Sequence, residues 1–177
     1  AITGSSGKTT AKTMIGSLLN DYSRTFFSPQ SYNNHYGVPL SICNMNLYDN
    51  FGVFEIGMSK SNEIHKLSAL VKPHIAIITN VSEAHLENFK NIKGIAKAKS
   101  EIIQNVQKDG LVVLNRDDKF FNYFSKIAKK YHIRVKSFGY SKKSNVRFVS
   151  INKKKGYFLF KASIDRKNIN LKINNNS

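Results

Sequence analysis

The chain has 177 residues, and its 28 basic and 11 acidic side chains give it a net charge of +17. This length allows one domain with a buried core, and no apolar run is long enough to span a membrane. The single cysteine, Cys43, excludes an internal disulfide and fits a reducing compartment. We expect Cys43 to be a small buried side chain.

The positive charge is concentrated in the last third of the chain. Residues 119–177 contain 16 Lys or Arg against one acidic residue, Asp165. Such a charge would suit a basic nucleic-acid-binding module. Lys, Asn and Ile are frequent throughout the chain, however, so a compositional drift onto solvated surfaces also explains it. We therefore expect non-specific, salt-sensitive adhesion to polyanions and no specific nucleic-acid partner.

The first three residues, Ala1 to Thr3, form an apolar stub that we interpret as the end of a truncated strand. A glycine-rich turn follows and opens a helix, so its backbone N–H groups and the helix N-terminus can bind a phosphate. Lys8 would neutralise phosphate charge, and the Thr9 hydroxyl would bind Mg²⁺. The spacing is a shortened P-loop, because Ile2 stands where a further glycine is usual; a bare glycine turn is the alternative. The candidate phosphate-binding residues are Gly4, Ser5, Ser6, Gly7, Lys8, Thr9 and Thr10.

Residues 1–138 alternate short apolar runs with helical patterns, which is typical of an α/β fold with a mostly parallel sheet flanked by helices. Strands are predicted at 24–27, 51–56, 74–79, 110–115 and 133–138. Helices are predicted at 9–20, 62–70, 92–106 and 120–131, the first with an apolar face formed by Ala11, Met14, Ile15, Leu18 and Leu19. Three short runs after Gly139 predict an antiparallel meander. We therefore divide the chain into an α/β core, 1–138, and a small β appendage of the same domain, 139–177, truncated at its C-terminal end.

Two polar side chains follow predicted strands and are expected at the carboxyl edge of the sheet, where ligands bind in open α/β folds. Glu55 closes the run FGVFEI and is costly to bury unless a cation or donor meets it. His85 follows the run HIAIIT in a turn. The alternatives are a strand-end acid paired with a lysine and an ordinary surface histidine.

The helix predicted at 92–106 has a buried stripe that contains a lysine. Ile95, Ala98, Ile102 and Val106 share one face at helical spacing. Lys99 falls inside this face, whereas Lys97 points away from it. A lysine aimed at the apolar side must snorkel to solvent, find a partner or lose its charge.

Six blocks of the first 120 residues resemble the central ATPase domain of the Mur ligases: TGSSGKTT, SYNNHYGVPLS, VFEIGMS, VKPHIAIITNVSEAHLENF, GIAKAKSEII and VLNRDD. Two of them, NNHYGVPL and EIGMS, favour the branch of the family that adds D-alanyl-D-alanine. The family's N-terminal and C-terminal domains have no counterpart in this chain. Neither does its adenine-binding H-N-x-x-N region.

The resemblance implies a role for each candidate residue. The glycine turn and Lys8 would bind the ATP phosphates, and Thr9 with Glu55 would bind one Mg²⁺. Glu55 and His85 would help to hold a second Mg²⁺. Lys99 matches the lysine that is carbamylated in the family, its N-carboxylate serving this second metal.

Two neighbouring asparagines, Asn33 and Asn34, match residues that lie close to substrate in the family. Which of the two contacts substrate is left open.

The resemblance further implies a cytoplasmic ATP-dependent carboxylate–amine ligase of peptidoglycan synthesis, without membrane insertion and monomeric at full length. Its substrates would be a UDP-muramoyl tripeptide and D-Ala-D-Ala, joined through an acyl phosphate. This chain alone is expected to be inactive. Another amino-acid ligase or a folylpolyglutamate ligase of the superfamily is the alternative within enzymes.

Overall fold

A computed structural model of the chain describes residues 1–83 and 88–174. Five helices lie in this part of the chain: α1 (Lys8–Asn20), α2 (Gly37–Asn44), α3 (Glu63–Val71), α4 (Ile92–Gln104) and α5 (Phe121–Lys130). The strands there are β1 (Ile2–Thr3), β2 (Thr25–Phe27), β3 (Phe51–Val53), β4 (Ile75–Ile78), β5 (Leu111–Asn115), β6 (Arg134–Gly139), β7 (Val146–Lys154), β8 (Tyr157–Ile164) and β9 (Lys167–Asn174).

The strands form a mostly parallel sheet, as predicted. β1, β4, β5 and β6 pair in this order, all parallel, and β2 pairs parallel with β3 in a second sheet. A bridge between Ile2 and Glu55 joins the two sheets. There the Ile2 amide donates to the Phe54 carbonyl and the Ile56 amide to the Ile2 carbonyl, each at 2.8 Å. The carboxyl ends of β3, β1 and β4 therefore lie side by side.

Helix α4 forms one wall of the core. Its predicted stripe is confirmed, since Ile95, Ala98 and Ile102 are fully buried, and Val106 beyond the helix end is buried with them. The helix begins at Asn91, whose side chain accepts a hydrogen bond from the Gly94 amide at 3.1 Å. Each fully buried isoleucine contributes roughly 1.5–3 kcal/mol to folding, so this stripe fixes the rotation of α4 about its axis.

The predicted apolar face of α1 is only partly confirmed, since Ala11, Ile15 and Leu19 are half-buried. Met14 and Leu18 are 57% and 63% exposed, whereas Lys12 and Gly16 are buried. Gly16 allows the helix to approach Phe27 of β2 so closely that an added Cβ would lie 2.5 Å from the Phe27 ring. Close packing of the helix backbone against this aromatic ring thus contributes to the orientation of α1.

Helix α2, with the sequence GVPLSICN, is not among the predicted elements. Pro39 lies in the first turn, where a missing N–H costs no intrahelical hydrogen bond. Cys43, on the last turn, is exposed, and the expectation of a buried cysteine is wrong.

The predicted antiparallel meander is formed by β7, β8 and β9. It continues the main sheet, because β7 pairs parallel with β6 through Phe138 and Val146. The boundary between core and appendage at residue 139 stays a prediction.

Replacement of Gly16 by valine should destabilise the chain by about 1–3 kcal/mol, because the new side chain must displace the Phe27 ring. Urea unfolding followed by circular dichroism measures the change. The matched control is Ser17→Ala on the exposed side of α1, which should have almost no effect. Equal or higher stability of Gly16→Val would contradict the close contact between α1 and β2.

Candidate functional site

The glycine-rich turn lies at the carboxyl end of β1 and leads directly into α1. Gly4 and Gly7 have positive φ angles of 155° and 76°. A Cβ at Gly4 would lie 1.8 Å from Thr79 Oγ1 at the end of β4, so no other residue fits without displacing that strand end. The turn is thus built for a close approach between two strand ends.

Hydrogen bonds to the segment after β4 hold the turn in place. The Ser5 amide donates to the Asn80 carbonyl at 3.0 Å, and the Ser6 amide donates to Asn80 Oδ1 at 3.1 Å. Thr79 Oγ1 donates to the Ser6 carbonyl at 2.6 Å. Residues Gly7–Thr10 form the start of α1. N–H groups in the first turn of a helix have no intrahelical acceptor, so they can bind an anion. Asn80 is a site residue that the sequence pattern did not reveal.

The carboxylate of Glu55 is the centre of the site. Glu55 follows β3 and is only 1% exposed. One oxygen accepts from Thr9 Oγ1 at 2.7 Å, and the other accepts from Asn33 Nδ2 at 2.6 Å. The carboxylate thus joins α1 to the segment after β2, and no lysine is hydrogen-bonded to it among the described residues.

Lys8 reaches back over the turn, and its ammonium donates to the Gly4 carbonyl at 3.0 Å. Lys99 approaches from α4 and is 2% exposed. Burial, and secondly the positive charge of Lys8, lower the pKa of Lys99 from 10.5 to about 7. A substantial fraction of Lys99 is therefore a neutral amine at neutral pH. Lys97 is exposed, as predicted.

Lys8, Lys99, Asn33 and Asn34 line one cavity of about 420 Å³. The volume is that of a small-molecule site. The structure thus brings together residues from α1, α4 and the segment after β2. The same cavity is lined by polar residues that the sequence did not indicate: His35, Ser59, Glu63 and Lys66.

The two asparagines make different contacts. The Asn33 side chain donates to Glu55, and its backbone carbonyl accepts from the Gly57 amide at 2.8 Å. The Asn34 side chain caps the start of α2, accepting from the amides of Tyr36 and Gly37 at 3.1 and 2.8 Å. Asn33 therefore belongs to the carboxylate network, whereas Asn34 stabilises the neighbouring helix.

Lys12 is a second buried lysine, and no prediction singled it out. It is 1% exposed, and its ammonium donates to the Gln30 carbonyl. Burial lowers the pKa of Lys12, and the negative charge of Glu55 opposes this shift.

His85 lies outside the described residues, so its predicted position near the site stays a prediction. Within residues 1–83 and 88–174, no group of three or more His, Cys, Asp or Glu side chains could hold a metal ion. A divalent cation bound among these residues would need hydroxyl, phosphate or water oxygens as further ligands. None of the helices in this part of the chain is long and apolar enough to cross a membrane.

A turn that can cradle phosphate lies at the end of β1, beside a buried carboxylate and a buried lysine, and such a turn is typical of phosphate-binding α/β domains. A family model described as "Mur ligase middle domain" matches residues 2–175, and the chain belongs to this family. The family resemblance of the sequence is thereby confirmed.

Among curated proteins, the chain is 38% identical over 152 residues to the UDP-N-acetylmuramoyl-tripeptide–D-alanyl-D-alanine ligase of Buchnera aphidicola subsp. Baizongia pistaciae. The match covers 86% of this chain and 32% of that protein. Among solved structures, MurF from Acinetobacter baumannii superimposes with a TM-score of 0.88 at 30% identity, covering 97% of this chain and 37% of that one. MurF ligase from Thermotoga maritima in complex with ADP gives 0.86 at 28% identity, covering 97% and 39%. The chain spans about a third of the length of the curated relatives it matches.

The lowered pKa of Lys99 makes stability depend on pH with a defined sign. Below about pH 7 the amine is charged in both states, and the folded chain bears the full cost of burying it. Between about pH 7 and its ordinary value of 10.5, the folded chain has released this proton and the unfolded chain has not. The unfolding free energy of the parent, relative to Lys99→Met, should therefore rise across this window.

Urea unfolding of both chains in CO₂-free buffer at several pH values measures this difference. The matched control is Lys97→Met, which removes an exposed lysine from the same helix. A constant difference between the parent and Lys99→Met would mean that Lys99 titrates as an ordinary lysine.

Proposed function

We propose that this chain is the central ATP-binding part of a ligase that joins D-alanyl-D-alanine to UDP-N-acetylmuramoyl-tripeptide. The observation that carries the proposal is the Thr9–Glu55 hydrogen bond of 2.7 Å beside a cavity lined by Lys8 and Lys99. The choice of substrates follows the curated relatives, which are ligases of these two compounds. The core at 1–138 and the appendage at 139–177 are proposed as parts of one domain.

The glycine turn suits the phosphates of ATP. The first-turn amides of α1 and the Lys8 ammonium supply hydrogen-bond donors and positive charge at one place. Ser5 and Ser6 hold the turn against residues 80–82 with both their amides and their hydroxyls. The complex of the Thermotoga maritima ligase with ADP supports the choice of nucleotide.

Mg²⁺ fits the oxygen atoms present. A Thr9 hydroxyl and a Glu55 carboxylate within 2.7 Å of each other are ligands of the kind that Mg²⁺ prefers, with phosphate and water oxygens completing the shell. When bound, the ion neutralises charge on the transferring phosphoryl group. His85 is proposed as a further ligand on the basis of the sequence.

Lys99 is proposed to become a carbamate. Its neutral amine can attack CO₂, losing one proton and forming an N–C bond, and the product carries a negative charge. Burial disfavours the ammonium at this position, and the Lys8 charge that repels it would instead attract an anion. The modified side chain would add a carboxylate to the ligands for the second Mg²⁺.

The reaction then proceeds in two transfers. A carboxylate oxygen of the tripeptide attacks the γ-phosphorus of ATP, the bond to the β–γ bridging oxygen breaks, and an acyl phosphate and ADP result. The amine of D-alanyl-D-alanine next attacks the acyl carbon, loses a proton and expels phosphate. Lys8 offsets phosphate charge, and Asn33 with Asn34 would face the tripeptide. The full-length enzyme is proposed to be a cytoplasmic monomer.

Other specificities remain rivals. Folylpolyglutamate synthase of Mycobacterium tuberculosis shares the fold, with a TM-score of 0.69 at 15% identity, and this likeness extends to the fold alone. The basic last third keeps a nucleic-acid-binding module as the rival outside enzymes. Lysines of this region do lie over aromatic rings, Lys130 over Tyr131 and Lys172 over Tyr157. We expect any binding to nucleic acid to be salt-sensitive.

Phosphate release by the full-length protein tests the proposed function. With ATP, Mg²⁺ and UDP-N-acetylmuramoyl-tripeptide, we expect D-alanyl-D-alanine to trigger release, and D-alanine, L-glutamate or folate with glutamate to fail. The 177-residue chain alone should show no turnover, because the domains that bind the remaining parts of the substrates lie in the rest of such a ligase. Release that depends on one of the other amino acids would reassign the enzyme within the family.

Lys99→Ala in the full-length enzyme should lose most activity, and added acetate should restore part of it by supplying a carboxylate to the same place. Steady-state phosphate release with and without acetate measures both effects. Lys97→Ala, two residues earlier on the exposed side of α4, is the control and should keep parental activity. Parental activity in Lys99→Ala, or damage confined to Lys97→Ala, would refute the assigned role of Lys99.

A further inference from the structure

Lys12 is the most deeply buried basic side chain described in α1, and it has no role in the proposed chemistry. It lies one turn after Lys8 and Thr9 but points beneath the site, where it is 1% exposed. A buried ammonium is costly unless it is paired or hydrogen-bonded. The group to which it donates therefore indicates what it does.

That group is the main-chain carbonyl of Gln30. Gln30 has a positive φ of 42° and lies in the segment between β2 and α2, residues 28–36, which we name the asparagine loop. A residue other than glycine rarely adopts this backbone conformation unless its surroundings hold it. The Lys12 ammonium supplies such a contact at a point where the loop meets α1.

The asparagine loop forms one side of the site. It begins at Ser28, whose amide donates to the Val53 carbonyl at 3.0 Å and whose hydroxyl accepts from the Glu55 amide at 3.4 Å. Three residues after Gln30, Asn33 donates to the Glu55 carboxylate. His35, farther along, lines the cavity together with Asn33.

Two successive turns of α1 thus contact the same group of residues, which consists of Glu55 and the asparagine loop. Thr9 donates to one oxygen of Glu55, Asn33 occupies the other, and Lys12 holds the loop from which Asn33 comes. Because Lys12 is also close enough to Glu55 for their charges to interact, its ammonium balances a carboxylate that is otherwise buried among neutral donors.

We propose that Lys12 is a positioning residue that ties the asparagine loop to the phosphate-binding helix and so holds Asn33 in place for the tripeptide substrate. The substrate named here rests on the proposed function, whereas the tie itself rests on the contacts of Lys12. Through this tie, the helix that begins at the phosphate turn and the loop that faces the acceptor substrate move as one body.

Hydrogen exchange in the full-length protein tests the tie independently of any activity. In Lys12→Met, an unbranched apolar side chain fills the same space without a donor, so the fold should be kept. We expect faster amide exchange in residues 28–36 and unchanged exchange in β4, β5 and α4. The matched control is Thr13→Met on the exposed side of α1, which should exchange like the parent. Unchanged exchange in residues 28–36 of Lys12→Met would overturn the proposal.

Kinetics of the same variants test the consequence for substrate. Lys12→Met should raise KM for UDP-N-acetylmuramoyl-tripeptide about tenfold, the size expected for loss of one charge-assisted hydrogen bond. KM for ATP should stay within about twofold of the parent, because the phosphate turn keeps its own contacts. An equal rise in both KM values, or a fall in kcat alone, would contradict a role in positioning the loop.

A double variant distinguishes an effect of Lys12 that acts through Asn33 from a general weakening of tripeptide binding. If Lys12 acts by placing Asn33, Lys12→Met should change KM for the tripeptide little when Asn33→Ala is already present. Additive effects would overturn the proposal. Should Lys12→Met fail to fold, Lys12→Leu, which also lacks a donor, serves in every comparison. If the parent protein shows no turnover with D-alanyl-D-alanine, the proposed function fails. Hydrogen exchange still tests whether Lys12 holds the asparagine loop against α1.

Discussion

One buried carboxylate holds the site together. Glu55 is almost inaccessible to solvent, and its two oxygens accept hydrogen bonds from two different parts of the chain, Thr9 of α1 and Asn33 of the asparagine loop. Its own backbone lies at the bridge that joins the two sheets. A buried charge with both oxygens engaged tolerates little displacement, because losing either partner leaves an uncompensated charge. Strand, helix and loop are therefore fixed relative to one another at the point where chemistry is proposed.

The charges around the cavity are unbalanced. Lys8, Lys66 and Lys99 line it together with one acidic side chain, Glu63, while Lys12 lies close enough to Glu55 for their charges to interact. Lys12 and Lys99 are almost completely buried. Burial lowers the pKa of both Lys12 and Lys99, and Lys8 lowers that of Lys99 further. A site with excess positive charge in a low-dielectric setting favours the binding of a polyanion such as a nucleoside triphosphate. The same imbalance favours conversion of one ammonium to an anion, as proposed for Lys99.

The periodic part of the fold was predictable, and its exceptions have local causes. The stripe of α4 follows directly from helical spacing, and with it the buried position of Lys99 and the exposed position of Lys97. The same rule held for only part of α1: Ala11, Ile15 and Leu19 are half-buried, whereas Met14 and Leu18 are exposed. Gly16 lets the backbone of this helix pack against Phe27. Periodicity records the spacing of apolar side chains along the sequence. It carries no information about a contact made by glycine, which has no side chain. Helix α2 was not predicted, and its proline lies in the first turn, where it costs no intrahelical hydrogen bond.

The sequence by itself determined the α/β class, the phosphate turn, and the candidate residues Glu55, Asn33 and Lys99, because each depends on local spacing or on a recognisable block. Only the tertiary structure decided which partners these residues have. It separated Asn33, bound to Glu55, from Asn34, which caps a helix. It also revealed Lys12 and its contact with Gln30. The physical reason is that hydrogen bonds between residues far apart in the chain depend on how strands and helices are packed, and packing is set by the whole sequence at once.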